Sequence, residues 1–367
     1  MKIGRVDLDR EVLVIAEIGN NHEGDVGAAE ALIAGAAKAG VQAVKFQTIV
    51  PERLVAPDQA ARLAQLRRFA LSADQHARLA RVAASAGVMF LSTPFDLDSV
   101  AMLDPLVPAF KVASGDNDFV PLLQRVAATD KPILLSTGMT DLAGVTVAMD
   151  IVRMVWRERK IDPGLVLLHC VAAYPTPVEQ ANLRAIPSLA ASGITLGYSD
   201  HTLGIGAAPL AVALGARVIE KHFTLDHDRS DFRDHKLSAN PAQMKALVER
   251  VREANALLGD GVKRVMPSER ATATAARRSI VAARDLPAGH VLAWADLTWL
   301  RPAGGLPPGR EGALIGRRLR CAVAAGGQLL PDLVDSAHVR NRRLLRSREA
   351  AVRACSGDAR AHASTRT

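Results

Sequence analysis

Short apolar runs along this chain each end in residues that can do chemistry. The ends read EIG (Glu17), KFQT (Lys45), STP (Thr93), KVASGD (Lys111, Ser114, Asp116), STG (Ser136), LHC (His169), SDHT (Ser199, Asp200, His201) and EKHF (Glu220, His222). In VIEKHF, Val218, Glu220 and His222 share one face of an extended segment, and a buried strand cannot hold Glu and His there without partners. His201 is the natural neighbour. Two imidazoles at one mouth make a two-point metal site with room for water or substrate, suited to Zn, Mn, Fe or Co; the alternative is a hydrogen-bonded histidine pair without metal. Lys45 shares a face with Ala43 and Gln47, and Lys111 follows Phe110 in a buried run. A lysine so placed needs an anion, and serves either as a Schiff-base amine or as a phosphate clamp. Ser114, Ser136 and Ser199 together favour a phosphate or carboxylate over an imine, although each serine alone also suits a turn or cap. Glu17 is a candidate general acid or base, a structural partner of Lys45, or both. The charged loop DHDRSDFRDHK (226–236) reads either as solvated or as a polar lid.

Elements of one kind must hold these groups together. Runs rich in Val, Ile, Leu and Ala predict strands at 12–19, 43–48, 89–94, 109–114, 132–138, 165–171, 195–200 and 217–224. Helices are expected between them at 26–39, 73–86, 97–104, 119–129, 143–157, 182–191, 205–215 and 241–258, with Gly40 and Gly87 as C-terminal stops. Eight alternations predict an α/β fold, a (β/α)8 TIM barrel over 1–258 with its chemistry at one rim. Segment 259–275 reads as a linker with a frayed helix. Residues 276–335 read as a small, loop-rich, mostly-β domain with a weak internal echo between 288–297 and 325–333.

Bulk properties narrow the class. The 367 residues are 49% hydrophobic but only 4% aromatic, so the core is aliphatic. The formal charge of +8 is concentrated at the end, where residues 338–367 carry eight Arg against two acids. That Arg-rich tail (336–367) is expected to be solvated and disordered, and without interleaved aromatics it gives no support to a nucleic-acid arm. Cys170, Cys321 and Cys355 lack metal or redox spacing, which fits a reducing compartment. The first residues have no signal-peptide layout, and no run is long and apolar enough to span a bilayer; the protein is expected to be soluble and cytoplasmic.

In this order, AEIGNNHEGD, VKFQT, STPFD, FKVASGD, LLSTGM, LHCVAAYPTP, GYSDHTLG and EKHFT resemble the N-acetylneuraminate (sialic acid) synthase family over about residues 10–335. The segment from RRSIVAARDLPAGHVLAWADL to GRRLRCAVAAGGQLLPDLV resembles the antifreeze-like (SAF) domain that ends these synthases. The resemblance implies condensation of phosphoenolpyruvate with an N-acetylated hexosamine, releasing phosphate and giving a nine-carbon 2-keto acid. It implies a divalent metal, Mn with Mg or Co as alternatives, on His201 and His222. Phosphoenolpyruvate falls to Lys45, Lys111, Ser114, Ser136 and Ser199, proton transfer to Glu17, and the sugar to Asp116, Tyr174 and Asp234. Arg278, or else Arg277, is implied to reach the sugar of a partner subunit in a domain-swapped homodimer. Asp116 where the family often has Glu, Ala172 where some members have Asn, and FRDHKLSA in place of a GPDH form all lie on the sugar side. They leave N-acetylmannosamine and a diacetamido trideoxyhexose, leading to a legionaminic- or pseudaminic-type acid, as acceptors. A lysine-dependent aldolase and a carbohydrate-binding protein are the rival classes.

Overall fold

The structure, a computed structural model, describes residues 1–190 and 194–335; the Arg-rich tail lies outside the described residues. The chain divides into two compact units, the first Met1–Gly261 and the second beginning at Val262.

The first unit is a parallel barrel. Its strands are β1 (Leu13–Gly19), β2 (Ala43–Thr48), β3 (Met89–Pro94), β4 (Phe110–Val112), β5 (Ile133–Ser136), β6 (Leu165–Cys170), β7 (Thr195–Asp200) and β8 (Ala216–His222). The hydrogen-bonded order is β3-β2-β1-β8-β7-β6-β5-β4. Only the β3–β4 seam lacks a ladder among the described residues, although those two strands lie side by side. The strands form here because their residues are apolar on both faces, and the connecting helices cover the outer one. Val14, Ala16, Val44, Phe46, Phe110, Leu135, Leu167 and Ile219 face outward into a core completed by helix residues such as Leu32, Leu79, Val100, Leu123, Val152 and Leu247.

Local signals start the helices where expected. Asp25 caps Val26–Lys38 through the Gly27 and Ala28 amides, Ser72 and Gln75 form a capping box on Ala73–Ser85, and Asn240 and Gln243 form another on Pro241–Leu258. The sixth connection departs from expectation: its helix is one turn, Ala185–Ser188. Pro187 inside it has no amide to donate, which fits a stub rather than a longer helix. Two unexpected helices, Pro51–Leu54 and Ala60–Phe69, follow β2. The latter is polar on most faces and buries only Leu63, Leu66 and Phe69, too thin a stripe to stand out as a period.

The barrel's interior is layered. A two-residue step along each strand places Leu13, Ile15, Ala43, Leu91, Ala109, Leu134, Val166, Leu168 and Val218 inside, in one cluster. Gly197 belongs to this layer without a side chain, because a Cβ there would stand 2.2 Å from Leu168 Cδ2. A short hairpin, Lys2–Ile3 paired with Val6–Asp7, closes the lower end by adding Ile3, Val6 and Leu8 to the same cluster.

The second unit has its own core, including Ile280, Leu286, Leu292, Leu297, Leu314, Leu319, Leu329 and Val334. Its only regular ladder among the described residues pairs β9 (Ser279–Ala282) with β10 (Leu297–Leu300) antiparallel, and isolated bridges and 3-10 turns complete it. The echo in the sequence has a structural counterpart: Trp294–Asp296 and Pro331–Leu333 are both 3-10 turns. No helix among the described residues is long and apolar enough to cross a membrane.

Candidate active site

One step beyond the apolar layer, the inward residues become Glu17, Lys45, Thr93, Lys111, Ser136, Cys170, Ser199 and Glu220, one from each strand or its immediate end. All eight line a cavity of about 360 Å³ at the C-terminal mouth of the barrel. One further step contributes Gln47, Phe95, Ala113, Ala172, His201 and His222 to the same cavity, and Ser114, Gly115, Met139, Tyr174 and Arg233 enter from the loops. The period of two that builds a strand therefore carries the chain from core to chemistry in one stride.

The polar ring is internally charge-balanced. Lys45 Nζ lies 2.8 Å from Glu17 Oε2 and 3.8 Å from Glu220 Oε2, and it donates to Thr93 Oγ1 at 3.0 Å. Lys111 Nζ lies 3.8 Å from Glu220 Oε1, which also accepts from Ser199 Oγ at 3.0 Å. Gln47 donates to Glu17 (3.3 Å) and is itself held by Asn20 (2.7 Å). Two ammonium groups thus face two carboxylates, all four nearly out of contact with solvent. Burial pushes Glu17 up to about 7, with Lys45 opposing and Glu220 reinforcing the rise. Burial also disfavours ionised Glu220, but Lys111 and Lys45 more than offset this and hold it below the usual range. For Lys45, burial is outweighed by Glu17 and Glu220, which raise its basicity; for Lys111, burial prevails and lowers it.

His201 and His222 meet on the other side of the cavity, ring centroids 5.4 Å apart. His201 Nδ1 lies 2.9 Å from the Val171 carbonyl. A carbonyl can only accept, so Nδ1 carries a proton and Nε2 is the nitrogen left for a metal; burial opposes charge on this ring, but Cys170 and the Val171 carbonyl raise its basicity, so a metal would displace a proton there. His222 Nδ1 is buried without a partner in the protein. Burial, then the charge on His201, holds His222 well below the usual imidazole range, hence neutral. The pair fits a divalent cation held at two points. Among the described residues no group of three or more His, Cys, Asp or Glu completes a closed site, so the other positions would fall to water or substrate.

Tyr174 lies against His201 at 4.2 Å and is capped by the Arg233 guanidinium at 4.9 Å, forming the rim. Asp234 pairs with Arg233 (3.2 Å) at the start of the turn Asp234–Leu237, just outside the cavity lining. Asp116 follows Ser114 and Gly115 but does not itself line the cavity; burial and Asp118 raise its carboxyl to about 6. Ser114 Oγ accepts from the Gly138 amide (3.0 Å), which joins the β4 and β5 loops. Arg278 is in the second unit and donates to the Trp299 carbonyl (2.7 Å); Arg277 follows the helix Arg270–Ala276.

The structure thus brings Glu17, Lys45, Lys111, Ser114, Ser136, Tyr174, Ser199, His201 and His222 into one cavity. His169 does not join them: it sits on the opposite strand face and bonds the Ala181 carbonyl. Sequence reasoning named Glu220 and Thr93 among the strand-end groups but gave them no role, and it did not assign Cys170 or Arg233 to the site. Counting two residues on from Leu168 would have found Cys170. Nothing in the sequence pattern singles out Arg233 within a loop carrying many charges. Its loop is nonetheless tied down, with Glu23 accepting from Ser230 Oγ at 2.7 Å and lying 3.2 Å from His235 Nε2.

Comparison with known proteins places this geometry. A profile described as the NeuB family matches residues 32–263, and one for the SAF domain matches 277–335. An N,N'-diacetyllegionaminic acid synthase of Legionella pneumophila is 39% identical over 338 residues, covering 88% of this chain and 94% of that protein. The human N-acetylneuraminate-9-phosphate synthase is 33% identical over 340 residues, covering 88% and 92%. The crystal structure of an N-acetylneuraminic acid (sialic acid) synthetase from Leptospira borgpetersenii, in complex with citrate, aligns with a TM-score of 0.70 at 31% identity, covering 74% of this chain and 94% of that one. With its barrel and its second domain both matched, this chain belongs to the NeuB family.

Proposed function

We propose that this chain condenses phosphoenolpyruvate with an acetamido sugar and water, releasing phosphate and a nine-carbon 2-keto acid, as the family's synthases do. One observation carries the reading: two buried ammonium groups and a buried Ser136 hydroxyl without a protein partner share a cavity with two imidazoles that have ring nitrogens to spare.

Lys45, Lys111, Ser114, Ser136 and Ser199 would receive the phosphate and carboxylate of phosphoenolpyruvate. Glu220, and Glu17 when ionised, offset much of the charge on the two lysines, and a dication beside the pocket would add positive charge for this anion. His201 and His222 would hold that ion, Mn by family likeness, and when bound it supplies Lewis acidity toward the sugar's aldehyde oxygen. C3 of the enolpyruvate attacks the aldehyde carbon while positive charge develops at C2. Water adds at C2, and the C2–O bond to phosphate then breaks. Glu17, poised near neutrality, gives a proton to the new alkoxide and takes one from the water. Holding the two reactants in line accounts for much of the rate. An imine on Lys45 is disfavoured because Glu17 and Glu220 keep it in its ammonium form against the effect of burial.

For the acceptor we favour a diacetamido trideoxyhexose, giving a legionaminic-type acid. The identity of 39% to the Legionella enzyme against 33% to the human one supports it. So do Phe95, Met139 and Ala172 in the cavity wall, since a deoxy sugar presents a methyl group where a hexose presents a hydroxymethyl. Arg278 or Arg277 completing the sugar site of a partner subunit, in a homodimer, is part of the same proposal. So is a reducing cytoplasm, which the free Cys170 and Cys321 support.

A panel of acetamido sugars, with phosphoenolpyruvate and metal varied independently, tests the reading by phosphate release and product mass. Release that needs both a sugar and a divalent metal is expected, fastest with the diacetamido sugar. No release across the panel with Mn present would refute it.

A further inference from the structure

Behind the two imidazoles, on the outward side of the barrel wall, lies a second pair of charged residues that is not part of the cavity lining. Lys221 and Asp200 are the chain neighbours of His222 and His201, they stand opposite each other in the β7–β8 ladder, and both side chains are wholly buried. Lys221 Nζ is 3.2 Å from Asp200 Oδ2 and also donates to the Thr202 carbonyl. Asp200 Oδ1 accepts from the Thr202 amide (2.8 Å), from Thr202 Oγ1 (2.7 Å) and from Tyr198 Oη (3.3 Å). Thr202, the residue after His201, is therefore gripped through its amide and hydroxyl by one member of the pair and through its carbonyl by the other.

The grip matters because of where the ladder stops. The β7–β8 register ends at Asp200 opposite Lys221, so His201 lies beyond it. His222 is registered only against Glu17 on the other side. The two imidazoles hang from different parts of the wall, and no ladder ties one to the other. The surroundings of the pair are largely apolar, with Tyr198, Ile219 and Phe223 in the same outer core. A buried ion pair in such a place contributes little net stability over an apolar pair of like size, so its presence calls for another role.

We infer that Asp200 and Lys221 are positioning residues that set the approach of His201 to His222, and with it the affinity of the two-point metal site. The inference rests on the proposed reading of those histidines as metal ligands. Outer partners of this kind typically change metal affinity by about 10- to 100-fold.

The test is Mn binding to the full-length protein, titrated by the loss of free Mn signal in electron paramagnetic resonance without substrates. Lys221→Met alone would strand a buried carboxylate, so the main variant is Asp200→Asn/Lys221→Met. It carries no buried charge, and the Asn oxygen can still accept from Thr202. Mn binding should weaken at least about 10-fold. Metal-free binding of phosphoenolpyruvate by calorimetry should stay within about twofold, because Lys45 and Lys111 are untouched. Thr202→Val, nearly isosteric and sparing the ion pair, removes one bond to Asp200 and should weaken Mn binding severalfold; it decides the matter should the double variant fail to fold. Folded variants that bind Mn as wild type does would overturn the inference and leave the histidine reading standing. A wild type that takes up no Mn would remove that reading and the inference with it.

Discussion

Glu17→Gln should make the protein more stable and disable it, and the size of the first effect follows from the barrel's geometry. The folded state raises this carboxyl from its ordinary 4.5 to about 7. At 1.36 kcal/mol per unit, the shift corresponds to about 3 kcal/mol of folding stability, an upper bound to order of magnitude. Between these two values the folded protein holds more protons than the unfolded chain, so stability falls as pH rises through the interval. Below about pH 4.5 the penalty is absent; above about 7 it is fully present. Glutamine stands in for the protonated form at every pH. Denaturant melts of wild type and Glu17→Gln at pH 5 and pH 8, without metal, should give curves that diverge toward high pH, the variant gaining by up to about 3 kcal/mol. Turnover should meanwhile fall by about 10²- to 10⁴-fold for loss of an acid–base group. Parallel stability curves between pH 5 and 8 would refute the claim that burial outweighs Lys45 at this carboxylate.

Lys111→Met leaves Ser199 and, at 3.8 Å, Lys45 as the partners of Glu220. KM for phosphoenolpyruvate should rise at least about 30-fold, as for a buried charge contact worth about 2 kcal/mol or more, and steady-state kinetics with saturating sugar and metal reads it. His222→Ala should abolish Mn-dependent turnover, and chelation of the wild type should do so reversibly; full phosphate release in excess chelator would contradict the two-imidazole site. If Arg278 serves a partner subunit, then mixing the separately inactive His222→Ala and Arg278→Ala chains, with subunit exchange, should restore up to about a quarter of wild-type activity, one native site in four for random pairing. Truncation after residue 337 should leave turnover unchanged, measured at saturating substrates.

The barrel was legible because its strands are apolar on both faces and its helices carry caps that act locally, at Asp25, Ser72 and Asn240. Val218, Glu220 and His222 could be placed on one face from spacing alone, and so could Ala43, Lys45 and Gln47. What spacing does not carry is partnership across strands. Glu220 between Lys45 and Lys111, Ser199 on Glu220, and Asp200 on Lys221 depend on register between segments far apart in sequence. Helix Ala60–Phe69 and the hairpin at residues 2–7 escaped notice for a different reason. Each gains its buried face from a neighbour elsewhere in the chain, so neither shows a period of its own.

The packed apolar layer inside the barrel, with the hairpin beneath it, makes the cavity a cul-de-sac. The groups proposed for the phosphorylated reactant lie deep, with Lys45 and Lys111 each 3% exposed, whereas Tyr174 at the doorway is 36% exposed. On the proposed reading, traffic through one door would be last in, first out: the phosphorylated molecule would load before the sugar, and the phosphate freed at the bottom would wait until the long-chain acid has gone. Inhibition by phosphate should then compete with phosphoenolpyruvate and not with the sugar, a pattern that initial-rate kinetics can read without further structural work.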